Sequence, residues 1–388
     1  MIEPDVRKGL RTWVEINKKA IGHNYTELQK ILPKNVKFMS VVKSNAYGHH
    51  LVDFSLETQK LGIDYFGVDS IVEAITLRES GIIKPILVLG YTLPEMLQSA
   101  HKFDVEITIS SFETLEEIYK RSFLNKIKVH IKVDTGLHRQ GFLEEQMQEV
   151  MKTLKSLNSK VEVVGVYTHF AGVKSREFEE YTQKQLSLFK VWVKEFKKNN
   201  FSVIAHASAS GGVLVFPEAN FDMVRFGIAQ YGIFPSENIE NFCKGKIDLK
   251  PVLEWKTIIS EIKNLPKGNK IGYDLTEELT VDSVVAICPV GYWHGFPRNL
   301  SSKGYVLTLG KRAKILGRVS MDMIVIDVTE AKGAKVGDVV TLIGQDCGEV
   351  ISAGEVALTS NISVYEFLTR INPLIKRIYI LVAFFVFF

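Results

Sequence analysis

The sequence predicts an α/β protein: an N-terminal (β/α)8 barrel of the TIM type followed by a C-terminal all-β domain. Three observations carry that expectation. Eight short apolar or β-branched runs recur between residues 36 and 224, with stretches of helical character between them. A turn-rich, polar segment follows at residues 235–250 and suits a linker. Beyond it, strand-like runs come in close order, separated by short Gly and Asp turns and no long helical pattern. The 388 residues also exceed what one hydrophobic core usually organises.

In chain order, the first eight runs are residues 36–42, 65–68, 86–89, 105–109, 127–133, 161–167, 203–205 and 223–224. Residues 70–80 read as a helix, with Ser70 able to cap its start and Gly81 to stop it. Residues 114–119 and 143–157 mix apolar and charged positions similarly, and 177–198 is long and amphipathic. Eight strand–helix repeats favour a closed barrel over an open doubly wound sheet. The later runs are 252–262, 283–289, 305–309, 312–315, 323–328 and 339–343, punctuated by turns such as SKG, LGK and VGD. The domains are therefore expected at 11–240 and 241–388, with residues 1–10 a candidate addition to the second. The tail 378–388, IYILVAFFVFF, is apolar but too short to span a bilayer. A final strand or buried tail is its plainest reading; a frayed extension and membrane attachment are the alternatives.

Composition excludes several classes. Charged residues at 24% and apolar residues at 46% argue against disorder, collagen and coiled coil. A net charge of +4 indicates neither nucleic acid nor a membrane surface as partner, though it suits an anionic ligand. Three cysteines, Cys243, Cys288 and Cys347, make a disulfide framework or thiolate metal site an unsuitable reading. With no signal peptide at the N-terminus, a cytoplasmic protein is expected. No GxGxxG follows a strand, residues 304–311 lack P-loop spacing, and the His49–His50 pair has no nearby carboxylate or thiolate, so no metal site is expected. Lys, Arg and Tyr remain as the reactive inventory. Barrel active sites sit where strands end, and Lys43, Lys132, His169 and Arg225 lie at or near such ends. Lys43 is the most informative, because an amine in a low-dielectric barrel mouth has a depressed pKa and can form a Schiff base. On the residues alone, a lysine ending a strand in solvent fits as well.

The motif around Lys43, VVKSNAYGH, resembles the pyridoxal-phosphate lysine motif of the alanine racemases, fold-type III enzymes. Further similar motifs follow in order: IKVDTGLHRQGF at 131–142, GVYTHFA at 165–171, HASASGG at 206–212, VRFGIAQYGIFPS at 224–236, IGYD at 271–274, VGYWHGFPR at 290–298 and GRVSMD at 317–322. The resemblance covers nearly the whole chain. It implies an isomerase that interconverts L- and D-alanine and supplies D-alanine for peptidoglycan. It also implies pyridoxal 5'-phosphate as cofactor, and a homodimer whose active sites are shared between subunits.

Position by position, the resemblance makes Lys43 the cofactor lysine and one acid–base group, and Tyr273 the other, reaching in from a second subunit. Racemisation needs a base on each face of a planar carbanion. Arg225 would face the pyridine nitrogen, where a permanent cation limits the electron sink. Arg139 would hold the substrate carboxylate region and the cofactor's phenolic oxygen, and the Met321 backbone would meet the carboxylate across the dimer, with Asp322 behind it. Lys132 matches a lysine that is often carbamylated, which would orient Arg139. His169 would hydrogen-bond Tyr273, and His206 would support Arg225. The phosphate would fall to Tyr47, Ser210 and the amides of Gly227 and Ile228. Departures from the family pattern are Ala209, Phe226, Trp293 and His294, and Pro373 where many relatives carry a second phosphate tyrosine. A serine or broad-specificity racemase of the same fold stays open as an alternative. A non-catalytic pyridoxal-phosphate carrier is weighed against by the length and IGYD, and a decarboxylase by Arg225.

Overall fold

The computed structural model describes residues 6–173 and 176–381. The chain divides into two compact units, one formed by residues 20–46 and 51–250, the other by residues 6–19, 47–50 and 251–381.

In the first unit, eight strands run parallel: β2 (Lys37–Val41), β3 (Tyr65–Val68), β4 (Ile86–Val88), β5 (Glu106–Ile109), β6 (Ile127–Lys132), β7 (Val161–Tyr167), β8 (Ile204–His206) and β9 (Met223–Phe226); β1 (Thr12–Asn17) belongs to the other unit. Each pairs with its sequence neighbour from β2 to β8, and β9 returns to pair with β2. The ring closes between β8 and β9 through an irregular seam, where Arg225 N–H donates to Ser208 O (3.0 Å) and Asp222 N–H to Ala205 O (3.0 Å). This is the expected barrel, since each strand is apolar enough to be buried on both faces. Its longest helix, Glu179–Lys198, turns Leu186, Phe189, Trp192, Val193 and Phe196 inward at helical spacing. Ser70 caps Ile71–Glu79, accepting the Glu73 N–H at 3.3 Å. The segment expected as a linker contains a short helix, Glu237–Cys243, capped by Ser236.

The second unit is a mostly antiparallel sheet. Its strands are β1, β10 (Leu253–Ile258), β11 (Glu261–Leu265), β12 (Lys270–Ile271), β13 (Glu277–Glu278), β14 (Ser283–Cys288), β15 (Tyr305–Thr308), β16 (Lys311–Leu316), β17 (Ile324–Asp327), β18 (Val339–Asp346), β19 (Glu349–Ile351) and β20 (Arg377–Ile380). The main path runs β11-β14-β17-β16-β15-β18-β10-β1-β20, while β12 and β13 form a separate two-stranded ribbon. Residues 11–19 thus fall with the C-terminal sheet and 241–250 with the barrel, across the division expected from sequence. Strand β1 does so because Trp13, Val14 and Ile16 are buried and its backbone bonds to β10 and β20. The unit is not purely β. Helices Ala353–Thr359 and Val364–Arg370 are each capped by a serine, Ser352 and Ser363. Of the apolar tail, Ile378–Ile380 forms the end of β20, parallel to β1, while 382–388 lie outside the described residues. The three cysteines are free thiols.

Candidate active site

Lys43 follows β2, and the chain then makes a left-handed turn, with φ of 55°, 57°, 51° and 53° at Ser44, Asn45, Ala46 and Tyr47. Left-handed backbone costs roughly 1–2 kcal/mol at each residue bearing a Cβ. Local bonds offset this: Asn45 Oδ1 accepts the Leu51 N–H (2.9 Å), Glu73 the Ser44 N–H (2.7 Å) and Val42 O the Ala46 N–H (2.8 Å). Glycine is required at 48, where φ is 87° and a Cβ would lie 2.2 Å from Leu368 O. Lys43 Nζ donates to Asp69 Oδ1 at 3.3 Å, with the side chain 38% exposed. The dry seat expected for this amine is therefore a charged, water-accessible one, because Asp69 stands just past the end of β3.

Arg225 lies within β9 at the seam of the barrel, where the sequence placed it just after the strand. The residue is 3% exposed. Its Nη1 donates to His206 Nδ1 (2.9 Å) and His206 O (3.1 Å); its Nη2 donates to Thr168 O (2.8 Å), Ala207 O (2.7 Å) and His169 Nδ1 (3.2 Å). Among the described residues nothing accepts its Nε–H. Burial lowers the Arg225 pKa to about 10, which still leaves a cation at neutral pH. Burial, then Arg225 and more weakly Arg139, Lys132 and Lys43, hold His169 at about 3. His206 is likewise pushed well below the usual imidazole range by burial, Arg225 and His130. Both rings are neutral, and each offers an Nδ1 lone pair to the guanidinium. The Tyr167 ring stacks on His206 at 4.7 Å and lies 5.3 Å from the guanidinium carbon, a cation–π distance.

Lys132 ends β6, and its pKa is lowered to about 8 by burial first and by Arg139, Arg225 and Lys43 in addition. Its Nζ donates to Gln140 Oε1 at 3.1 Å. Arg139 is exposed and held by its backbone N–H to Asp134 Oδ2 (3.1 Å). Ser210 Oγ accepts the N–H groups of Gly227 (3.0 Å) and Ala229 (3.3 Å). The Gly227 amide is thus committed to Ser210, while the Ile228 amide has no partner among the described residues. Of the departures from the family pattern, Phe226 packs on Phe38 at 4.5 Å and Ala209 bridges Arg225 through its backbone.

In the second unit, Tyr273 sits on the ribbon between β12 and β13, anchored beneath by the cluster of Ile271, Leu279, Val285 and Leu316. The Tyr273 side chain is 69% exposed. Its neighbours Asp274 and Leu275 are left-handed, and Asp274 pairs with Arg318 at 2.8 Å. The motifs VGYWHGFPR and GRVSMD zip together: Tyr292 N–H donates to Ser320 O and Trp293 N–H to Met321 O, both at 3.0 Å. That occupies the Met321 carbonyl and leaves its N–H as the group able to meet an anion. Asp322 Oδ1 lies 3.9 Å from His294 Nδ1. Tyr47 has its ring 6.1 Å from that of Tyr365, and burial pushes its phenol up to about 12. Burial and the Tyr47 charge push Tyr365 higher still.

Several of these neighbours escape a sequence reading. Asp69 follows its strand as Lys43 does, so the strand-end rule that selects Lys43 points to it too. Glu106 and His130 stand out as polar residues inside apolar strands. Nothing in the pattern singles out Gln140, and Tyr365, eight residues before Pro373, stands out of register with the family's second phosphate tyrosine.

The barrel, with the cations Lys132 and Arg225 buried in its strands, is of the (β/α)8 class. Profiles described as "Alanine racemase, N-terminal domain" and "Alanine racemase, C-terminal domain" match residues 16–235 and 252–379. The chain belongs to the alanine racemase family. An alanine racemase of Methanococcus maripaludis is 37% identical over 372 residues, 95% of this chain and 98% of the relative. One of Halothermothrix orenii is 38% identical over 371 residues, 95% and 96% of the two chains. Among solved structures, the alanine racemase of Bacillus anthracis with bound L-Ala-P superposes with a TM-score of 0.88 at 36% identity, covering 95% of each chain.

Proposed function

We propose that this protein is an isomerase that interconverts L- and D-alanine with pyridoxal 5'-phosphate, working as a cytoplasmic homodimer. Within the family frame, the observation that carries the reading is Arg225, a buried guanidinium whose Nε–H alone is uncommitted among the described residues. A fixed cation beside a ring nitrogen disfavours its protonation, which favours racemisation over reactions that need a stronger electron sink.

The donor set fits the cofactor. Lys43 would supply the amine for its aldehyde and Arg225 a donor for its ring nitrogen; Tyr47, Ser210 and the free Ile228 amide would hold its phosphate, joined by the Gly227 amide once it leaves Ser210 Oγ. When bound, the group delocalises the electron pair left at the α-carbon. The chain moves the protons. Lys43 Nζ, as the neutral amine, takes the α-proton of D-alanine, and the Tyr273 phenolate, entering from the second subunit, takes that of L-alanine and becomes the phenol. The exposure of Tyr273 supports such a use. His169, with Nδ1 on Arg225, keeps its proton on Nε2 and can donate it toward the Tyr273 oxygen. Arg139 meets the substrate carboxylate, as does the Met321 N–H of the second subunit, with Asp322 behind Met321. The lowered pKa of Lys132 supports carbamylation there, since a neutral amine is the form that adds carbon dioxide. Lys43, Ser210 and Arg225 are assigned to the barrel domain and Tyr273 to the β domain. Free thiols support the cytoplasm, and no helix among the described residues is long and apolar enough to cross a membrane.

Borohydride treatment of the purified protein should fix a pyridoxyl group on Lys43, read by peptide mapping, and chiral chromatography should show L-alanine turned over faster than L-serine. Trapping on another lysine would overturn the site, and faster serine turnover the substrate.

A further inference from the structure

A hydrogen-bonded chain runs from Arg225 into the interior of the barrel, past the residues used above. His206 Nε2 lies 2.9 Å from His130 Nδ1, and His130 Nε2 lies 2.8 Å from Glu106 Oε2. The Tyr65 phenol bonds the same carboxylate. His130 and His206 are fully buried, and Glu106 is 4% exposed. The backbone is shaped to admit the chain. Pairing between β6 and β7 shifts register between Val129 and His130, which sets His130 opposite Gly165. A Cβ on Gly165 would fall 2.2 Å from His130 Nδ1, so only glycine leaves the ring its place.

The proton positions follow from one chemical fact: a guanidinium has donors and no acceptor. His206 Nδ1, facing Arg225, must present a lone pair, so its proton is on Nε2. That proton points at His130 Nδ1, which must then accept, so the His130 proton is on Nε2 and points at Glu106. Reversing any bond leaves two N–H groups facing each other in a dry interior, each costing about 1–3 kcal/mol unpaired. Glu106 Oε2, at the far end, accepts that bond and closes the series.

We propose that Glu106 is a positioning residue for the racemase reaction: through His130 and His206 its acceptor oxygen fixes the lone pair that orients Arg225 and leaves the Nε–H uncommitted. The proposal rests on the racemase reading for its purpose but not for its first test. In full-length protein labelled with nitrogen-15 at histidine, spectra with and without pyridoxal phosphate should show His130 and His206 both as Nε2–H tautomers. Glu106→Gln keeps an acceptor oxygen and should keep both tautomers and a near-normal kcat. Glu106→Leu removes the acceptor and should move the His206 proton to Nδ1. It should also lower kcat roughly tenfold to a hundredfold, the range seen for partners that orient metal-bound histidines, with KM for alanine changed little. An Nδ1–H tautomer of His206 in the unmodified protein would overturn the proposal. So would an unchanged His206 in Glu106→Leu, or a Gln variant that behaves as the Leu variant does. If Glu106→Leu does not fold, the wild-type and Gln spectra still decide. Failure of the unmodified protein to racemise alanine, with the tautomers as stated, would instead count against the functional reading.

Discussion

The two units hold their candidate groups in opposite ways. In the barrel, Arg225, His206 and Lys132 are buried and tied to named partners, and their pKa values are displaced by that burial. In the β unit, Tyr273 and Met321 stand on exposed loops, 69% and 55% accessible, above an apolar core. The difference separates two tasks. A group whose charge must stay constant is buried and bonded, because a low dielectric and fixed dipoles hold one protonation state. A group that meets substrate through a surface can be left in water until that surface is covered. Barrel substitutions should therefore cost stability as well as activity, and β-unit substitutions activity alone.

The largest effect should come from Lys43→Ala, which removes the cofactor amine and a base together. Racemisation followed by chiral chromatography should fall by about four orders of magnitude, the upper end for a positioned proton-transfer group. Tyr273→Phe should lower it by about 10²–10⁴-fold with the melting temperature unchanged. In deuterated buffer, NMR should show exchange into L-alanine collapsing while exchange into D-alanine persists; equal loss for both enantiomers would mean that a single base serves both faces. Arg225→Leu sharpens the contrast, since Thr168 O, Ala207 O and His206 O lose buried donors at about 1–3 kcal/mol each. Denaturant unfolding should register a loss of at least about 3 kcal/mol, and an unchanged midpoint would break the comparison.

Smaller effects should appear in the pH dependence of stability. Between pH 6.5 and about 3 the unfolded chain takes up a proton at His169 that the folded barrel refuses, so stability falls as pH drops through that window. In protein held free of carbon dioxide, so that Lys132 stays an amine, between about 8 and 10.5 the unfolded chain keeps a proton on Lys132 that the folded one has lost, so stability rises with pH there. Each group contributes a slope of up to about 1.4 kcal/mol per pH unit. His169→Asn and Lys132→Met should flatten the acid and alkaline limbs in turn, as measured by urea unfolding across pH. The smallest effect belongs to Ser70→Ala, which removes a helix cap and should cost about 1 kcal/mol with kinetic constants unaltered.

Periodicity was sufficient for the barrel. All eight of its strands lie within a few residues of the apolar runs that announce them, because strands covered by helices on one side and core on the other must be continuously hydrophobic. Three elements of the β unit were less legible for differing reasons. Strand β1 alternates correctly but is separated in sequence from its partners β10 and β20 by hundreds of positions. The two seven-residue helices are too short to show a period, although each opens with the S-x-x-E pattern, Ser352 with Glu355 and Ser363 with Glu366, that marks a capped start.

For the site, the sequence by itself determined which residues carry charge to the ends of strands: Lys43, Lys132 and Arg225 follow from strand polarity and spacing alone. What they touch was decided by the tertiary structure. Asp69 beside Lys43, Gln140 beside Lys132, and the chain from Arg225 through His206 and His130 to Glu106 each join different strands or loops of the ring. Strand order and a one-residue register shift bring these groups within 3 Å or so, and local sequence carries no record of the residue that stands across a sheet. A hydrogen bond forms or fails over a few tenths of an ångström, a precision that only the packed barrel supplies.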